Sequence, residues 1–381
     1  MALTPFNRRK DGSSFRDWAC SAFQQALAQS TLQHTDIEAL FVACESDFFT
    51  LQLNPASILA TDNGVQGAAT SRIEGGGASG QLAVHAAVRS VQSGACKHVA
   101  VIGVDPSASQ LSADAVRTMY GFSFDAWHDG VTGVSATALY ALSYQFFADK
   151  HNTNDEHIAA VTIRNRCNAV LNPNAHLGRN HTEEEIQNSP FIASPYRRLH
   201  CSPLSDGAAA IILSADNALP DARKHAVRIA GIGAASDHAH LGSRHEPGSF
   251  TDKTLAMQRA CDEAGITPDS IELAEVYDAY AGAQLQSLVA LGLSDDLLSD
   301  MESDKFKLQG HCPINSSGGL LGQGAPVGAT GVAQTISCAL QIEGSYHSAL
   351  QRSSPPKYAL ADTHGGICTT SAVTILREAA R

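Results

Sequence analysis

The stretch NSSGGLLGQGAPVGATG, residues 315–331, has the most distinctive pattern in the chain. It carries glycines at positions 318, 319, 322, 324, 328 and 331. Glycine permits tight loops and lets a backbone approach a ligand closely. The last four residues of the stretch open a run of small and apolar residues. We therefore predict a glycine-rich loop, shaped for a ligand, that leads into a buried helix.

The first half of the chain repeats this arrangement. The tetrapeptide GASG, residues 77–80, opens a mostly apolar helix at 79–95, which leads to a buried strand at 98–104. The later helix leads in the same way to a strand at about 357–362. Upstream in each half a helix precedes a similar segment, namely 14–29 before HTDIEALFVA (34–43) and 253–264 before ITPDSIELAEVYDAY (266–280). Two such halves predict a layered α/β body with mixed sheets, and chance similarity of two α/β units is the alternative.

The composition of the chain restricts the classes of ligand and partner that it is expected to bind. The 381 residues carry a net charge of -12, which argues against a nucleic-acid binder. Any phosphate-bearing ligand must therefore meet local positive charge or helix N-termini. Nine cysteines without a CxxC pair predict free thiols in a reducing compartment and no metal site. No run of 18 apolar residues and no signal-like start are present, so we expect a cytoplasmic protein without a membrane span.

Three further segments add to the glycine-rich stretch. They are LTPF (3–6), CSPLSDGAA (201–209) and EVYDAYA (275–281). Together with residues 315–331 they resemble motifs of the thiolase superfamily, especially the branch related to the sterol-carrier-protein thiolases. The resemblance spans essentially the whole chain. It implies an α/β protein with the five-layered αβαβα thiolase fold, made of two similar halves plus an inserted loop domain.

This fold implies a division of the chain. Residues 1–105 form the core of the N-terminal half, 106–205 an inserted loop region over that half, and 206–216 its return strand. Residues 217–381 form the C-terminal half, which a strand at 372–377 closes. Only three residues precede Thr4, so we expect a short first strand.

The resemblance places the catalytic positions of a thiolase, and this chain departs from them. Gly77 stands where the family has its nucleophilic cysteine, so no acyl-enzyme can form there. Ala325 stands where the family has the histidine that activates this thiol. Thr363 replaces the second cysteine, which transfers protons, and His364 lies next to it. Tyr277 takes the position of an Asn or His that orients a water or binds the thioester carbonyl. Its hydroxyl is able to donate to an oxyanion, or to act as an acid or base if its pKa is lowered, and a core aromatic at a strand end is the alternative.

The glycine framework is nevertheless retained, which indicates repurposing more than loss. We predict Tyr277, His364 and Thr363 as catalytic residues. Residues predicted to shape the substrate site are Ser79, Gly318, Gly319, Gly324, Ala325 and Gly366. Of the remaining polar residues, His85 is interpreted as a core histidine, and Asp206 and Asp278 as structural. His200 is interpreted as a surface residue, with a place near the pocket as the alternative. Arg164 and Arg166 are interpreted as surface residues, although they could meet CoA phosphates.

Three functions stay open. The first is an aldolase-like enzyme that makes or breaks a carbon–carbon bond beside a CoA thioester without an acyl-enzyme. The second is acyl transfer through another nucleophile, Cys368 or Ser79. The third is a non-catalytic acyl-CoA-binding subunit. In each case the resemblance implies coenzyme A as part of the substrate, no permanently bound cofactor, a homodimer and, for the aldolase, a small partner with a zinc ribbon and an OB-fold.

Overall fold

Two sheets with matching topology form the frame of the protein in a computed structural model, which describes residues 1–8, 11–219 and 227–379. The first sheet contains β1 (Ala2–Leu3), β2 (Ala39–Ala43), β3 (Ala69–Ile73), β4 (His98–Pro106) and β7 (Asp206–Ser214). Their order is β1-β7-β4-β2-β3, with β2 parallel to β3 and β4, and β7 antiparallel to β4 and β1. The first strand is short, as predicted, and pairs with Ala209 and Ala210.

The second sheet repeats this plan. It contains β8 (Val227–Ser236), β9 (Leu273–Glu275), β10 (Tyr358–Gly365) and β11 (Thr370–Glu378), in the order β8-β11-β10-β9. Strand β10 is parallel to β9 and antiparallel to β11, which in turn is antiparallel to β8. Thus β8, β11, β10 and β9 take the places of β1, β7, β4 and β2. The internal repeat is therefore real and not a chance similarity.

Two helices of small residues lie between the sheets, namely α4 (Ser79–Gln92) and α13 (Val327–Glu343). A Cβ atom added to Gly80 would lie 2.8 Å from the backbone nitrogen of Gly331, so the two helices meet backbone to backbone. The side-chain nitrogen Nε2 of Gln81 donates to the carbonyl of Gly331 at 2.8 Å and to Oγ1 of Thr335 at 2.9 Å. The small residues are thus required by the close approach of the central helices.

Further helices cover the outer faces of the sheets. Helices α1 (Phe15–Ala28) and α3 (Pro55–Asp62) share an apolar core with the first sheet. Helices α9 (Thr251–Ala264) and α10 (Ala281–Ala290) share another with the second sheet. The order of layers is helices, sheet, helices, sheet, helices, which confirms the predicted five-layered fold.

The region 106–205 departs from the prediction that it lies over the first half. It contains α5 (Ala113–Tyr120), α6 (Ala136–His151), α7 (Asp155–Leu171), α8 (Glu183–Gln187), β5 (Phe191–Ala193) and β6 (Tyr196–Arg197). Helix α5 does contact Phe49 of the first half. Helices α6 and α7 instead bury Tyr144 and Ile158 in the core of the second half, with Leu285 and Leu288, because that is where their apolar faces find a partner. The remaining helices are short: α2 (Asp47–Thr50), α11 (Leu297–Glu302) and α12 (Gly319–Gly322).

Candidate active site

A cavity of about 300 Å³ lies where the two halves and the region 106–205 meet. The start of α4, the start of α13 and the carboxyl end of β2 all reach it. The polar side chains of its lining are Glu45, Arg117, Tyr120, Ser123, Ser135, Thr137, Tyr140, Cys201, Ser202, Tyr277, Tyr280 and His364. Because all three parts of the fold contribute side chains, this cavity is the candidate active site.

The structure brings some of the predicted residues together here and leaves others out. Five of them line the cavity: Gly77, Tyr277, Ala325, His364 and Gly366. Five do not: Ser79, Gly318, Gly319, Gly324 and Thr363. The hydroxyl oxygen of Thr363 is buried and has no hydrogen-bond partner within residues 1–8, 11–219 and 227–379. Half of the predicted residues therefore lie at this cavity, and the other half lie outside its lining.

Tyr277 fills the space beside Gly77. A Cβ atom added to Gly77 would lie 2.7 Å from Cζ of Tyr277, and closer still to the Tyr277 hydroxyl and the carbonyl oxygen of His364. Real Cβ atoms essentially never approach other atoms this closely. Burial, and then the nearby carboxylate of Glu45, raise the pKa of Tyr277 well above its usual value, so its hydroxyl keeps its proton. The tyrosine hydroxyl thus stands where a side chain at position 77 would begin.

The tautomer of His364 is set by a buried lysine. Lys253 Nζ lies 3.0 Å from His364 Nδ1, and an ammonium is only a donor, so Nδ1 must accept. The proton of the neutral ring then sits on Nε2, 2.8 Å from the Tyr140 hydroxyl. That hydroxyl in turn donates to the carbonyl of Gly366 at 2.5 Å. Burial and the charge of Lys253 hold the pKa of His364 well below its usual value. His364 is therefore a neutral donor, with no free lone pair to act as a base.

Lys253 was not predicted from the sequence. Its side chain is completely buried, and its other two protons go to Asp362 Oδ2 at 2.6 Å and Ser287 Oγ at 2.9 Å. A buried charge is tolerated only when it is paired and hydrogen-bonded in this way. The pattern did contain a signal, because Lys253 shares the inner face of α9 with Ala256, Met257 and Ala260 at helical spacing. A lysine among core positions of a helix indicates a buried partner.

Two carboxyl groups on the opposite side were also not predicted from the sequence, namely Glu45, which lines the cavity, and the buried Asp105 behind it. Glu45 Oε2 accepts from the Tyr120 hydroxyl at 3.1 Å. Asp105 Oδ2 accepts from the backbone nitrogens of Glu45, at 2.9 Å, and of Gly328, at 2.6 Å. Burial is the main cause that raises the pKa of Glu45 to about 8 and that of Asp105 to about 7. Their positions could have indicated a binding site. Glu45 and Asp105 lie at the carboxyl ends of β2 and β4, two neighbouring parallel strands, and ligands of α/β proteins bind at such strand ends.

Family models match almost the whole chain. The thiolase N-terminal domain matches residues 2–217, and the thiolase C-terminal domain-like model matches residues 233–378. The chain belongs to the thiolase family.

Individual relatives of this thiolase-family protein differ in their named activities. Acetyl-CoA acetyltransferase of Methanothermobacter thermautotrophicus is 30% identical over 334 residues, which cover 87% of this chain and 86% of the relative. The 17-hydroxy-3-oxo-4-pregnene-20-carboxyl-CoA lyase of Mycobacterium tuberculosis is 27% identical over 357 residues, 88% and 89% of the two chains. The solved structure of the Ltp2-ChsH2(DUF35) aldolase has a TM-score of 0.83 at 23% identity and covers 100% of this chain and 97% of its own. These matches confirm the predicted superfamily and fold, within a family of acyl-CoA enzymes.

The thiols of this family member have ordinary structural surroundings. Cys368 lies in the turn between β10 and β11, at φ +53°. Its sulfur lies 3.2 Å from Asp252 Oδ1, it does not line the cavity, and burial raises its pKa well above the usual value. Cys201 does line the cavity, but burial raises its pKa to about 12 and its thiol donates to the carbonyl of Arg197 at 3.5 Å. Neither sulfur is an activated thiolate.

The glycine loop acts as a frame around this site. Gly318 and Gly319 have φ values of +101° and +60°, which side chains rarely adopt. A Cβ on Gly319 would also collide with the carboxylate of Asp278, which accepts the backbone nitrogens of Leu320 and Leu321. Ser79 has its hydroxyl engaged by two backbone groups, those of Gly75 and Gly76. These groups hold the loops and have no atoms free for chemistry.

Several interpretations of outlying residues are corrected by burial. His200, Arg164 and Arg166 are not surface residues. His200 and Arg166 are 2% exposed, and burial lowers the pKa of His200 to about 4. Arg164 lies over the ring of Phe306, with its guanidinium carbon 5.8 Å from the ring centroid. None of the three lines the cavity.

The structural interpretations of the other outlying residues are confirmed. His85 is a core histidine whose Nε2 lies 3.1 Å from the carbonyl oxygen of Val373. Asp206 accepts from the backbone nitrogens of Ala108 and Ser109 at 2.9 and 3.1 Å. Asp278 holds the glycine loop, as described above. Within the described residues, no cluster of metal-ligating side chains is present and no helix has the length and apolarity to cross a bilayer.

Proposed function

We propose that this protein makes or breaks a carbon–carbon bond beside a CoA thioester without a cysteine acyl-enzyme, in the manner of an aldolase. One observation carries the proposal: the Tyr277 hydroxyl occupies the space in which a nucleophilic side chain at position 77 would begin. The names of a relative, a carboxyl-CoA lyase, and of a structural neighbour, an aldolase, support it. The fold and the acyl-CoA ligand class would thus be kept while the reacting groups differ.

A retro-aldol step places negative charge on the thioester oxygen. The proton of a β-hydroxyl is removed, the bond between Cα and Cβ breaks, and the electrons move onto the thioester as an enolate. Tyr277 is suited to donate a hydrogen bond to that oxygen, because its hydroxyl is neutral, buried and directed at the cavity. Gly77 before α4 and Val327 at the start of α13 also line the cavity, so two helix N-termini favour the developing charge.

In this proposal His364 is a positioning residue. Its two ring nitrogens are hydrogen-bonded to Lys253 and Tyr140. His364 therefore holds Tyr140 in place and does not exchange protons with the substrate. Thr363 lies outside the lining, and we assign it no proton transfer. Ala325 and Gly366 leave room for the ligand, whereas Ser79, Gly318, Gly319 and Gly324 support the loops around it.

The proposed ligand is an acyl-CoA, with no permanently bound cofactor. A homodimer is supported by β3, which lies at an edge of the first sheet and offers strand-pairing groups to a second copy. A small partner with a zinc ribbon and an OB-fold is supported by the two-component name of the structural neighbour. The free cysteines fit a reducing, cytoplasmic location. Light scattering of the purified protein, alone and with candidate partners, tests the assembly.

The activity is tested by cleavage of 3-hydroxyacyl-CoA thioesters, followed by mass spectrometry of the released acyl-CoA. Tyr277→Phe keeps the ring and removes the hydroxyl, so we expect the rate to fall by roughly 100- to 1000-fold while CoA binding is retained. Tyr144→Phe is the matched control, because that buried hydroxyl bonds Thr153 and does not line the cavity. An equal loss in both variants would contradict the assignment of Tyr277.

Acyl transfer is the second candidate, because a thiol, Cys201, does line the cavity. Incubation with acetyl-CoA followed by intact-mass measurement separates the two functions. An acetyl adduct that disappears in Cys201→Ser supports acyl transfer, and cleavage without an adduct supports the aldolase. Tight CoA binding with neither reaction supports a non-catalytic subunit.

A further inference from the structure

One carboxylate of the first half, that of Glu45, lines the cavity and has an oxygen without a hydrogen-bond partner within the described residues. Glu45 follows β2 and lines the cavity together with Gly77 and Tyr277. Its Oε2 accepts from the Tyr120 hydroxyl at 3.1 Å, whereas its Oε1 has no hydrogen-bond partner within the described residues. A partly exposed carboxylate oxygen at a cavity wall, unclaimed by the protein, is a free acceptor for a proton of the ligand.

The backbone of Glu45 is held in place by Asp105. One oxygen of Asp105 accepts from the nitrogen of Glu45 at 2.9 Å and from the nitrogen of Gly328 at 2.6 Å. Asp105 is completely buried, so this bridge fixes the end of β2 to the start of α13. The side chain of Glu45 therefore extends from a rigid support and not from a mobile loop.

The groups around Glu45 favour its protonated form at neutral pH. Burial and the nearby carboxylate of Asp105 raise the pKa of Glu45 to about 8, and the hydrogen bond from Tyr120 opposes this. Such a carboxyl group is able both to accept and to return a proton near neutral pH. The titratable and charged groups that face it are Arg72, Glu74, Asp105, Arg117, Tyr120, Tyr277 and His364.

We propose that Glu45 is the general base of this site, a role that rests on the proposed aldolase function. Its carboxylate accepts the proton of the β-hydroxyl as the bond between Cα and Cβ breaks. The β-carbon leaves as a carbonyl, and Tyr277 donates to the thioester enolate oxygen. Glu45 then returns its proton to Cα, which completes an acyl-CoA product. Atoms and electrons balance without any oxidant, reductant or metal.

The test uses the reverse first step, in which the base removes a proton from Cα of an acyl-CoA. Propionyl-CoA is incubated with the full chain in D2O, and deuterium uptake at Cα is followed by mass spectrometry. We expect Glu45→Gln to lower the exchange rate by at least about 100-fold. CoA binding by calorimetry should stay within about twofold. Glu246→Gln is the matched control, because this half-exposed glutamate pairs with Lys150 away from the cavity.

A second variant keeps the proposal testable if Glu45→Gln folds poorly. The wild-type exchange rate should rise with pH through an inflection near pH 8. Tyr120→Phe removes the hydrogen bond that stabilises the ionised carboxylate, so the inflection should move to higher pH with a similar plateau. A role in packing alone would not move the inflection.

The outcomes separate this proposal from the proposed function. Exchange in the wild type that persists in Glu45→Gln, or an inflection that Tyr120→Phe leaves in place, overturns the role of Glu45 and leaves the aldolase intact. A wild type that neither exchanges propionyl-CoA nor cleaves 3-hydroxyacyl-CoA overturns both.

Discussion

The two walls of the cavity differ in where their unused polar atoms lie. On the second-half wall, every proton of Lys253 is donated, and the single protons of His364 and Tyr140 are donated in turn. Asp362 Oδ1 and Thr363 Oγ1 behind that wall, like Asp105 Oδ1 behind the other, have no hydrogen-bond partner within the described residues, but none of these residues lines the cavity. Glu45 on the first-half wall does line it, and its Oε1 has no hydrogen-bond partner within the described residues.

The difference distinguishes side chains that hold the site in shape from a side chain that is available to a ligand. A closed hydrogen-bond network fixes geometry, because any rearrangement leaves a buried group unpaired. A spare acceptor that opens on a cavity is available to a ligand without the loss of a protein hydrogen bond. Tyr277 lies between the walls, with its ring 4.7 Å from that of His364. We therefore expect substitutions on the second-half wall to act on folding first, and those on the first-half wall to act on the reaction.

Lys253→Met should have the largest effect. It leaves the completely buried carboxylate of Asp362 without its cation, and removing one partner of a buried pair costs about 3–5 kcal/mol. Urea unfolding followed by circular dichroism measures the loss. Lys150→Met removes a solvent-exposed pair with Glu246 and should cost less than about 1 kcal/mol. The double variant Lys253→Met with Asp362→Asn should recover part of the stability, and a single-variant loss near that of the exposed pair would refute the contrast.

Gly77→Ala tests the contact between the walls and should cost about 1–3 kcal/mol in unfolding free energy. The added Cβ overlaps Tyr277 and the carbonyl of His364, so these groups must shift to accommodate it. Gly130→Ala is the control, because a Cβ there meets its nearest atom at an ordinary 3.5 Å. In a Tyr277→Ala background the penalty should shrink without vanishing, since the carbonyl of His364 remains. An additive double mutant would show that Tyr277 does not fill this space.

The fold was predictable from local patterns because the two halves share them. The strands at 98–106 and 206–214 lie within two residues of the bounds predicted for them, 98–104 and 206–216. The packing of the region 106–205 was not predictable, because the apolar faces of α6 and α7 carry no information on which half they cover. Their partners, Leu285 and Leu288, are distant in sequence.

Only part of the candidate site was predictable from the sequence, because the roles of its other residues depend on contacts between residues that are distant in sequence. Motif positions located Gly77, Tyr277 and His364, since these lie within the stretches that resemble the family. Glu45 and Lys253 lie outside those stretches, and their roles depend on contacts with residues 60 or more positions away, Asp105 and Asp362. Only a polar residue at a strand end, or a lysine on an apolar helix face, hinted at them.

Glu45→Gln should have a smaller, pH-dependent effect on stability. The pKa of Glu45 is raised in the folded protein to about 8, above its usual value near 4.5. The folded state therefore binds more protons between these pH values, and the wild type loses stability as pH rises through that window. The glutamine variant lacks this loss, so it should equal the wild type near pH 4.5 and become progressively more stable than the wild type as the pH rises to 8. Thermal unfolding at both pH values measures the difference, and a pH-independent difference would mean that Glu45 does not titrate in this window.

Cys201→Ser should have the smallest effect, because Cys201 lines the cavity but takes part in the hydrogen-bond network of neither wall. Its pKa, raised by burial to about 12, leaves almost no thiolate at neutral pH. We expect cleavage of 3-hydroxyacyl-CoA to stay within about twofold of the wild type. Iodoacetamide should label exposed Cys167 long before Cys201, as peptide mass spectrometry will record. If Cys201 reacts first, or if the serine variant loses activity, the sulfur is activated by a group that the two walls do not contain, and covalent acyl transfer becomes the better account of this cavity.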